Sequence, residues 1–137
     1  MNLFADSSAL AKRYIADEKS GDLEELLQSA NNLAVSMLCL PEIVSALCRR
    51  RRERFLTTTQ YKVAKASLEA DLKDAAVIAI IDEVLLRSII VLESFSLRAS
   101  DAIHISSAIL WQADVFVSSD DRQCAAAKAS GLQVTQL

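Results

Sequence analysis

The chain opens with Met1-Asn2-Leu3-Phe4-Ala5-Asp6-Ser7-Ser8, and this stretch decides the fold that the sequence predicts. Its apolar tripeptide is too short for a helix and runs directly into an acid and two hydroxyl residues, which is typical of a buried parallel strand. Functional groups in open parallel sheets lie beyond the carboxyl ends of the strands, so Asp6 is a candidate site residue. We expect Ser7 or Ser8 to cap the following helix. The alternative is that Asp6 itself is the cap, which is the more common role of a lone acid.

Composition predicts one domain covering residues 1–137. The chain has only two glycines and one proline, and we find no internal repeat, which leaves little room for linkers. Hydrophobic residues make up 52% of the chain and aromatic residues only 5%, so the core must consist of Ala, Leu, Ile and Val. Such a core suits helices packed on a parallel sheet, and the predicted fold class is α/β.

The sequence offers neither a secretory signal nor a membrane-spanning stretch. No basic region opens the chain, and the longest apolar run, Ala75 to Ile81, is far shorter than the roughly 20 residues that cross a bilayer. The cysteines, Cys39, Cys48 and Cys124, are odd in number and lack C-x-x-C spacing, which indicates reduced core residues rather than a disulfide or zinc framework. We therefore expect a soluble cytoplasmic protein without a membrane partner.

Positive charge is concentrated in one short segment. The formal net charge of -3 gives no global case for nucleic-acid binding, but five of the fifteen basic residues lie between Arg49 and Arg54. Arg49, Arg50 and Arg52 could hold a nucleic-acid backbone. The alternatives are a solvated surface or a contact with a partner protein.

Two further acids lie at predicted helix starts. Pro41 fits the first position of a helix, which places Glu42 in its first turn, and Ser100 is a natural cap for a helix with Asp101 in its first turn. Either acid alone could simply favour the helix dipole. The helix after Asp101 is apolar or small on nearly every side, so a carboxylate there needs a partner, and a cation would supply one. For His104, the only histidine, we prefer a structural hydrogen bond to a catalytic role, since no nucleophile is placed to use it.

The stretch Asp114-Val115-Phe116-Val117-Ser118-Ser119-Asp120-Asp121 repeats the pattern of the opening. Asp120 follows another predicted parallel strand, whereas Asp121 is better placed to start the next helix, although the two could exchange roles. Four acids would then meet at one edge of the sheet, where their like charges need an offsetting cation. Oxygen ligands of this kind suit one or two Mg²⁺ or Mn²⁺ ions, which would activate water for phosphodiester hydrolysis.

Four segments, in this order and spacing, resemble the PIN-domain ribonucleases, specifically the VapC-type toxins of toxin–antitoxin pairs. They are Phe4-Ala5-Asp6-Ser7-Ser8-Ala9-Leu10, Pro41-Glu42, Leu97-Arg98-Ala99-Ser100-Asp101-Ala102-Ile103-His104 and Phe116-Val117-Ser118-Ser119-Asp120. The resemblance implies a three-layer α/β/α fold with a central, mainly parallel sheet and a Mg²⁺-dependent endoribonuclease activity. It also implies an RNA substrate, a homodimer and a cognate antitoxin that occupies the groove near the site.

The resemblance also assigns roles to individual residues. Carried over by position, the catalytic acids would be Asp6, Glu42, Asp101 and Asp120. The metal ligands would be Asp6, Asp101 and Asp120, while Ser7 and Ser118 would support the carboxylates or a metal-bound water. Ser118 stands where the family often has threonine, a change that keeps the hydroxyl.

Two other functions are compatible with parts of this pattern. A non-catalytic module of the same fold could use the acids to hold a cation and the arginine-rich helix to bind a partner. A phosphatase that works through an aspartyl phosphate would need a second acid two residues after Asp6, where Ser8 stands, so the assistant of the nucleophile is missing.

Overall fold

The short apolar segments found in the sequence form one parallel sheet. The computed structural model describes all residues, 1–137, and contains five strands in the order β3-β2-β1-β4-β5, with every neighbouring pair parallel. The strands are β1 (Asn2–Ala5), β2 (Asn32–Ser36), β3 (Ala76–Ile78), β4 (Val115–Ser118) and β5 (Val134–Gln136). Because β1 lies between β2 and β4, the carboxyl ends of these strands share one edge.

Seven α-helices connect and cover the strands. They are α1 (Ser7–Leu10), α2 (Ser20–Ser29), α3 (Cys39–Arg52), α4 (Thr58–Asp74), α5 (Asp82–Ser94), α6 (Ala99–Trp111) and α7 (Asp121–Ala129). A short 3₁₀ helix, Ala11–Arg13, continues α1. The helix α4 begins after a reciprocal capping box, which is formed by Thr57 and Gln60.

Alternation of side chains along the strands assigns the helices to two layers. Phe4, Ala34 and Phe116 point to one face of the sheet, where they pack against α5, α6 and α7. Ala5 and Val35 point to the other face and pack against α1, α3 and α4. Successive side chains of a strand face opposite sides, so each strand contributes to both cores. The predicted three-layer α/β/α fold with a parallel central sheet is confirmed.

The prediction that a serine caps the first helix is wrong. The helix α1 begins at Ser7, and Asp6 is its N-cap, with its carboxylate accepting a hydrogen bond from the Ala9 amide. The alternative reading of Asp6 as a cap is therefore correct. This role does not exclude a second one, because a cap uses only part of the accepting capacity of a carboxylate.

Two further helices begin earlier than predicted. The helix α3 starts at Cys39, so Pro41 is its third residue and not its first. Proline is tolerated there because the first four amides of a helix have no partner inside the helix. The helix α6 starts at Ala99, after Arg98, so Ser100 is not its cap. In both helices the acid still lies in the first turn, as predicted.

The cysteines form no disulfide. Cys39 and Cys124 are buried, whereas Cys48 is only partly buried, and all three are free thiols. Burial raises the pKa of the Cys39 thiol to about 12, which keeps it in the unreactive protonated form. None of the helices has the length and apolar character required to cross a membrane.

The core prediction that follows concerns the aromatic pair beneath α6. The rings of Phe4 and Phe116 stack with their centroids 5.9 Å apart, and both side chains are fully buried. Phe116→Ala should lower the free energy of unfolding by about 3–5 kcal/mol, because it removes buried apolar surface and leaves a cavity. Urea denaturation in EDTA measures this loss. Val63→Ala, at a largely exposed position on α4, should change it by less than about 0.5 kcal/mol.

Candidate active site

Asp6 lies at the centre of the sheet edge and is held by neutral donors. The side chain is 1% exposed and accepts hydrogen bonds from the Ala9 amide at 2.8 Å and from the Ser118 hydroxyl at 2.6 Å. The Ser8 hydroxyl lies 2.8 and 2.9 Å from its two carboxylate oxygens. No salt bridge reaches this carboxylate. A buried carboxylate without a charged partner is expensive to keep ionised.

The electrostatic balance at Asp6 reflects this burial. Removal from water raises the pKa of Asp6, although hydrogen bonds from Ser118, Ala9 and Ser8 and the proximity of His104 act in the opposite direction. Burial outweighs these contacts. The site would therefore gain free energy from a cation beside Asp6.

Glu42 and His104 form a second group next to Asp6. The Ser7 hydroxyl donates to Glu42 Oε1 at 2.8 Å, and His104 Nε2 lies 2.6 Å from the same oxygen. Burial by itself would raise the pKa of Glu42, but the hydrogen bonds from His104 and Ser7 and the charge of Arg98 lower it. Glu42 is thus kept ionised by its neighbours.

The surroundings of His104 indicate which of its nitrogens carries the proton. The side chain is buried, and Nδ1 has no hydrogen-bond partner, whereas Nε2 faces the Glu42 carboxylate. A proton on Nδ1 would be a buried donor without an acceptor, so the proton belongs on Nε2, where it donates to Glu42. The predicted structural hydrogen bond of His104 is therefore present, and its acceptor is one of the candidate acids.

Asp101 is paired with an arginine three residues before it in the sequence. Arg98 Nε lies 3.3 Å from Asp101 Oδ2, and Arg98 Nη2 lies 3.3 Å from Oδ1. The Asp101 carboxylate is nearly buried, but the Arg98 side chain is 78% exposed, which weakens this ion pair through solvent screening. The hydrogen bond and charge of Asp101 raise the pKa of Arg98, and the charges of Asp120 and Glu42 contribute. Arg98 therefore interacts electrostatically with three of the acids and makes direct contact with Asp101.

The structure separates the roles of the two adjacent acids before α7. Asp120 is the N-cap of α7, its carboxylate accepting from the Gln123 amide at 2.8 Å, and its own amide donates to Ser118 Oγ at 3.1 Å. It lines a cleft with Arg98 and Asp101. Asp121 instead accepts a hydrogen bond from Gln136 on β5. Of the two, Asp120 is the acid that lies beside the other candidates.

Each candidate acid is engaged within the chain. No three of the His, Cys, Asp and Glu side chains are grouped closely enough to hold a metal ion together in this arrangement. Asp101 is turned to Arg98, Glu42 to His104, and Asp120 to the first turn of α7. The donor set nevertheless fits a hard divalent cation, because it consists of carboxylates and hydroxyls, and because the buried Asp6 carboxylate lacks a positive partner.

A groove of about 730 Å³ runs along α3, and Glu42 is the one candidate acid in its lining. Ser7, Glu42 and Arg98 line it near the sheet edge, and Arg49 and Arg50 line it farther along the helix. Lys12 also lines the groove, where it is paired at 2.6 Å with Asp17, another lining residue. Arg52, the third candidate contact, lies on the exposed surface outside the lining of this groove.

Three residues of the site were missed by sequence reasoning. Ser8 contacts both oxygens of Asp6, Arg98 pairs with Asp101, and Gln123 donates from Nε2 to the Asp101 carbonyl at 3.4 Å. A hydroxyl two residues after the acid was a usable signal for Ser8. The spacing of three residues between Arg98 and Asp101 was also visible. Nothing in the sequence pointed to Gln123.

Comparisons with known proteins identify the family and the fold of this chain. The PIN domain family model matches residues 3–129. No match was found among curated proteins. A toxin–antitoxin complex from Klebsiella pneumoniae superposes with a TM-score of 0.68 at 16% identity, covering 91% of each chain.

Two further solved structures have the same fold. VapC20 of Mycobacterium tuberculosis, described as a sarcin–ricin loop cleaving toxin, gives a TM-score of 0.72 at 17% identity over 98% of this chain and 99% of that one. PAE2754 of Pyrobaculum aerophilum gives 0.71 at 20% identity over 98% of this chain and 89% of that one. At such identities the likeness establishes the fold, while the family model extends over nearly the whole sequence. The chain therefore belongs to the PIN domain family.

Proposed function

We propose that the protein is a Mg²⁺-dependent endoribonuclease that hydrolyses RNA phosphodiester bonds with water as the nucleophile. The observation that carries this proposal is the buried Asp6 carboxylate, which has only neutral hydrogen-bond partners. The Ser118 hydroxyl links it to the Asp120 amide, and Asp120 lines a cleft together with Asp101. A divalent ion at this place would offset the negative charge. Mn²⁺ is a plausible substitute because it accepts the same oxygen ligands.

The residues of the site divide the work. Asp6, Asp101 and Asp120 would hold the ion, with Asp101 exchanging its contact with Arg98 for one with the metal. When bound, the ion would lower the pKa of a coordinated water and stabilise the leaving oxygen. Ser118 holds the Asp6 carboxylate in place, and Ser7 and His104 hold Glu42, which is kept ionised and could accept a proton from water.

The arginine side chains near the site suit the binding of the RNA backbone. Arg49 and Arg50 line the same groove as Glu42, and the arginines would contact phosphates of the RNA on that side. Arg98 would contact the phosphate nearest the cleavage site once Asp101 has released it. In this proposal the carboxylates bind the metal ion, and the arginines bind the phosphates of the RNA.

We further propose that the protein is the toxin of a type II toxin–antitoxin pair. The support is the fold shared with a toxin–antitoxin complex from Klebsiella pneumoniae and with VapC20, together with the PIN family assignment. A cognate antitoxin would then bind this chain and restrain its activity. The groove beside the acids is the site at which such a partner would act most directly.

A homodimer is also part of the proposal. Leu86, Ile89 and Ile90 lie on one side of α5, and each is more than half exposed. An apolar stripe of this kind is unusual on a monomer and favours an interface. We propose that a second copy of the chain covers it.

The first prediction from the proposed function concerns RNA cleavage. The purified chain, free of partners, should cut a mixed cellular RNA pool in Mg²⁺ and leave 5′-phosphate ends, and EDTA should abolish cutting. Asp6→Asn and Asp120→Asn should each lower the rate by more than about 100-fold, since loss of a metal ligand should exceed the effect of losing an outer contact. Gel analysis and end mapping of the products measure both properties.

Asp121→Asn is the matched control for that experiment, because it changes the neighbouring acid, which faces Gln136 on β5. This variant should cut at close to the wild-type rate. Products with 2′,3′-cyclic phosphate ends would contradict water as the nucleophile. A folded chain that binds metal but cuts no RNA would favour the non-catalytic module.

The second prediction uses the stability of the chain without metal. Because the pKa of Asp6 is raised in the fold, its contribution to stability is complete below the ordinary carboxyl pKa and is lost as pH rises through the raised value. At neutral pH in EDTA, Asp6→Asn should therefore melt at a higher temperature than wild type. Mg²⁺ at about 100 times its Kd should stabilise wild type by about 2.7 kcal/mol and the variant far less.

Thermal unfolding over a pH series, with EDTA and with Mg²⁺, measures both effects. Equal stabilisation of wild type and Asp6→Asn by Mg²⁺ would place the ion elsewhere. A variant less stable than wild type at neutral pH in EDTA would mean that the charge of Asp6 is already compensated within the chain.

The third prediction tests the dimer. Light scattering on a size-exclusion column should give twice the chain mass for wild type and a single chain mass for Leu86→Glu combined with Ile90→Glu, because buried unpaired charges oppose association. Val63→Glu, at an equally exposed apolar position on α4, should remain a dimer. A monomeric wild type would contradict the proposed interface.

A further inference from the structure

The end of α3 is built in an unusual way. The Arg54 amide donates to the Arg51 carbonyl at 3.0 Å, and the Phe55 amide donates to the Arg50 carbonyl at 2.9 Å. These two bonds form a Schellman motif, in which the chain reverses through a left-handed residue that is usually glycine. Here the left-handed residue is Arg54, with a φ of 65°. The turn thus fixes the position of Phe55 relative to Arg50.

Phe55 does not bury its ring in the apolar contact that is common at this position of a Schellman motif. The residue there commonly makes an apolar contact with the last turn of the helix, but Phe55 remains 66% exposed. The guanidinium carbon of Arg50 lies 5.3 Å from the centre of its ring. Phe55 is therefore an aromatic ring offered to solvent and flanked by a cation.

Phe55 follows the C-terminal end of α3, whereas Glu42 lies in the first turn of the same helix. Arg50 lines the same groove as Glu42 and Ser7, so Phe55 lies next to the groove at a distance from the site. Along α3, the eight residues from Glu42 to Arg50 correspond to about 12 Å.

We propose that Phe55 and Arg50 form a stacking site for an unpaired RNA base, beside the groove and about 12 Å along α3 from Glu42. Aromatic rings and arginine planes bind unstacked bases, whereas bases inside a duplex are not available to them. The arginines of the groove favour a polyanion, and the exposed ring favours a nucleobase over an acidic peptide. The inference rests on the proposed function and adds to it a pair of side chains that would hold one base of the RNA away from the cleavage site.

The test measures binding without cleavage. A short single-stranded RNA with 2-aminopurine at successive positions is titrated with wild-type protein in EDTA, and its fluorescence reports stacking. Phe55→Ala should weaken binding by about 5- to 150-fold, and Phe55→Leu should weaken it similarly, because both remove the ring. Phe55→Trp should retain affinity. Leu110→Ala, at an exposed apolar position near the far end of α6 from Asp101, should bind like wild type.

Several outcomes would overturn the proposal. If Phe55→Leu bound RNA as tightly as wild type, the ring would serve only as an apolar contact. If Phe55→Ala lost as much affinity for a blunt duplex of the same RNA as for the single strand, base stacking would be excluded. A polyglutamate peptide whose binding depends on Phe55 as strongly as RNA binding does would assign the surface to an acidic protein partner. Thermal melts of all variants exclude loss of folding as the cause.

The proposed function can fail separately. Ring-dependent RNA binding in EDTA with no cleavage in Mg²⁺ would contradict the endonuclease and leave the stacking site in place. Cleavage in Mg²⁺ with binding that is insensitive to Phe55→Ala would contradict the stacking site alone.

Discussion

The parallel pairing of β1 with β4 is the constraint on which the site depends. Leu3, Phe4 and Ala5 pair in register with Val115, Phe116 and Val117. This register puts the residue after β1 next to the last residue of β4, so Ser118 reaches the Asp6 carboxylate at 2.6 Å. A slip of one residue would turn the stacked phenylalanines out of one core and remove the hydroxyl from Asp6. Core packing and site geometry are therefore fixed by the same hydrogen-bond ladder.

The fold holds the acids of the site in an electrostatically unfavourable arrangement. Neutral donors hold Asp6 in a buried position, where its ionised form is disfavoured, while His104 and Ser7 keep Glu42 charged. Arg98 supplies positive charge from an exposed side chain, where the screened pairing with Asp101 is easily exchanged. The capping bond to Ala9 explains an acid at position 6, but it does not offset the burial of a charged carboxylate without a positive partner. Such an arrangement is typical of a site prepared for a ligand that supplies the missing charge.

Much of this architecture could be predicted from the sequence, because the strands are short apolar segments followed by polar residues. The same pattern placed Asp6 and Asp120 at strand ends, and first-turn positions located Glu42 and Asp101. Side-chain orientation could not be predicted in the same way. Whether Asp101 turns to Arg98, or Asp120 to the α7 amides, depends on rotamers chosen among neighbours that only the folded chain brings together.

The errors at helix starts have a related cause. The sequence offered several hydroxyls and acids as caps, and local preference alone ranks them almost equally. At α1 the choice fell on Asp6, since its carboxylate is fixed by Ser118 from across the sheet, 112 residues away in sequence. At α6 no side chain serves as cap, and Arg98 instead turns to Asp101. Tertiary contacts thus decided which local option was used.

The central position of β1 has a consequence for biosynthesis. One of the two strands that pair with β1 is synthesised much later than β1 itself, because β4 follows β2, β3 and the helices α2 to α6 in the chain. Until those elements emerge, Asp6 has neither Ser118 beside it nor Asp120 nearby. A nascent chain that carries the first acid, the arginine-rich helix and the groove therefore still lacks an assembled site. The topology thus delays assembly of the site until β4 and α7 have been synthesised.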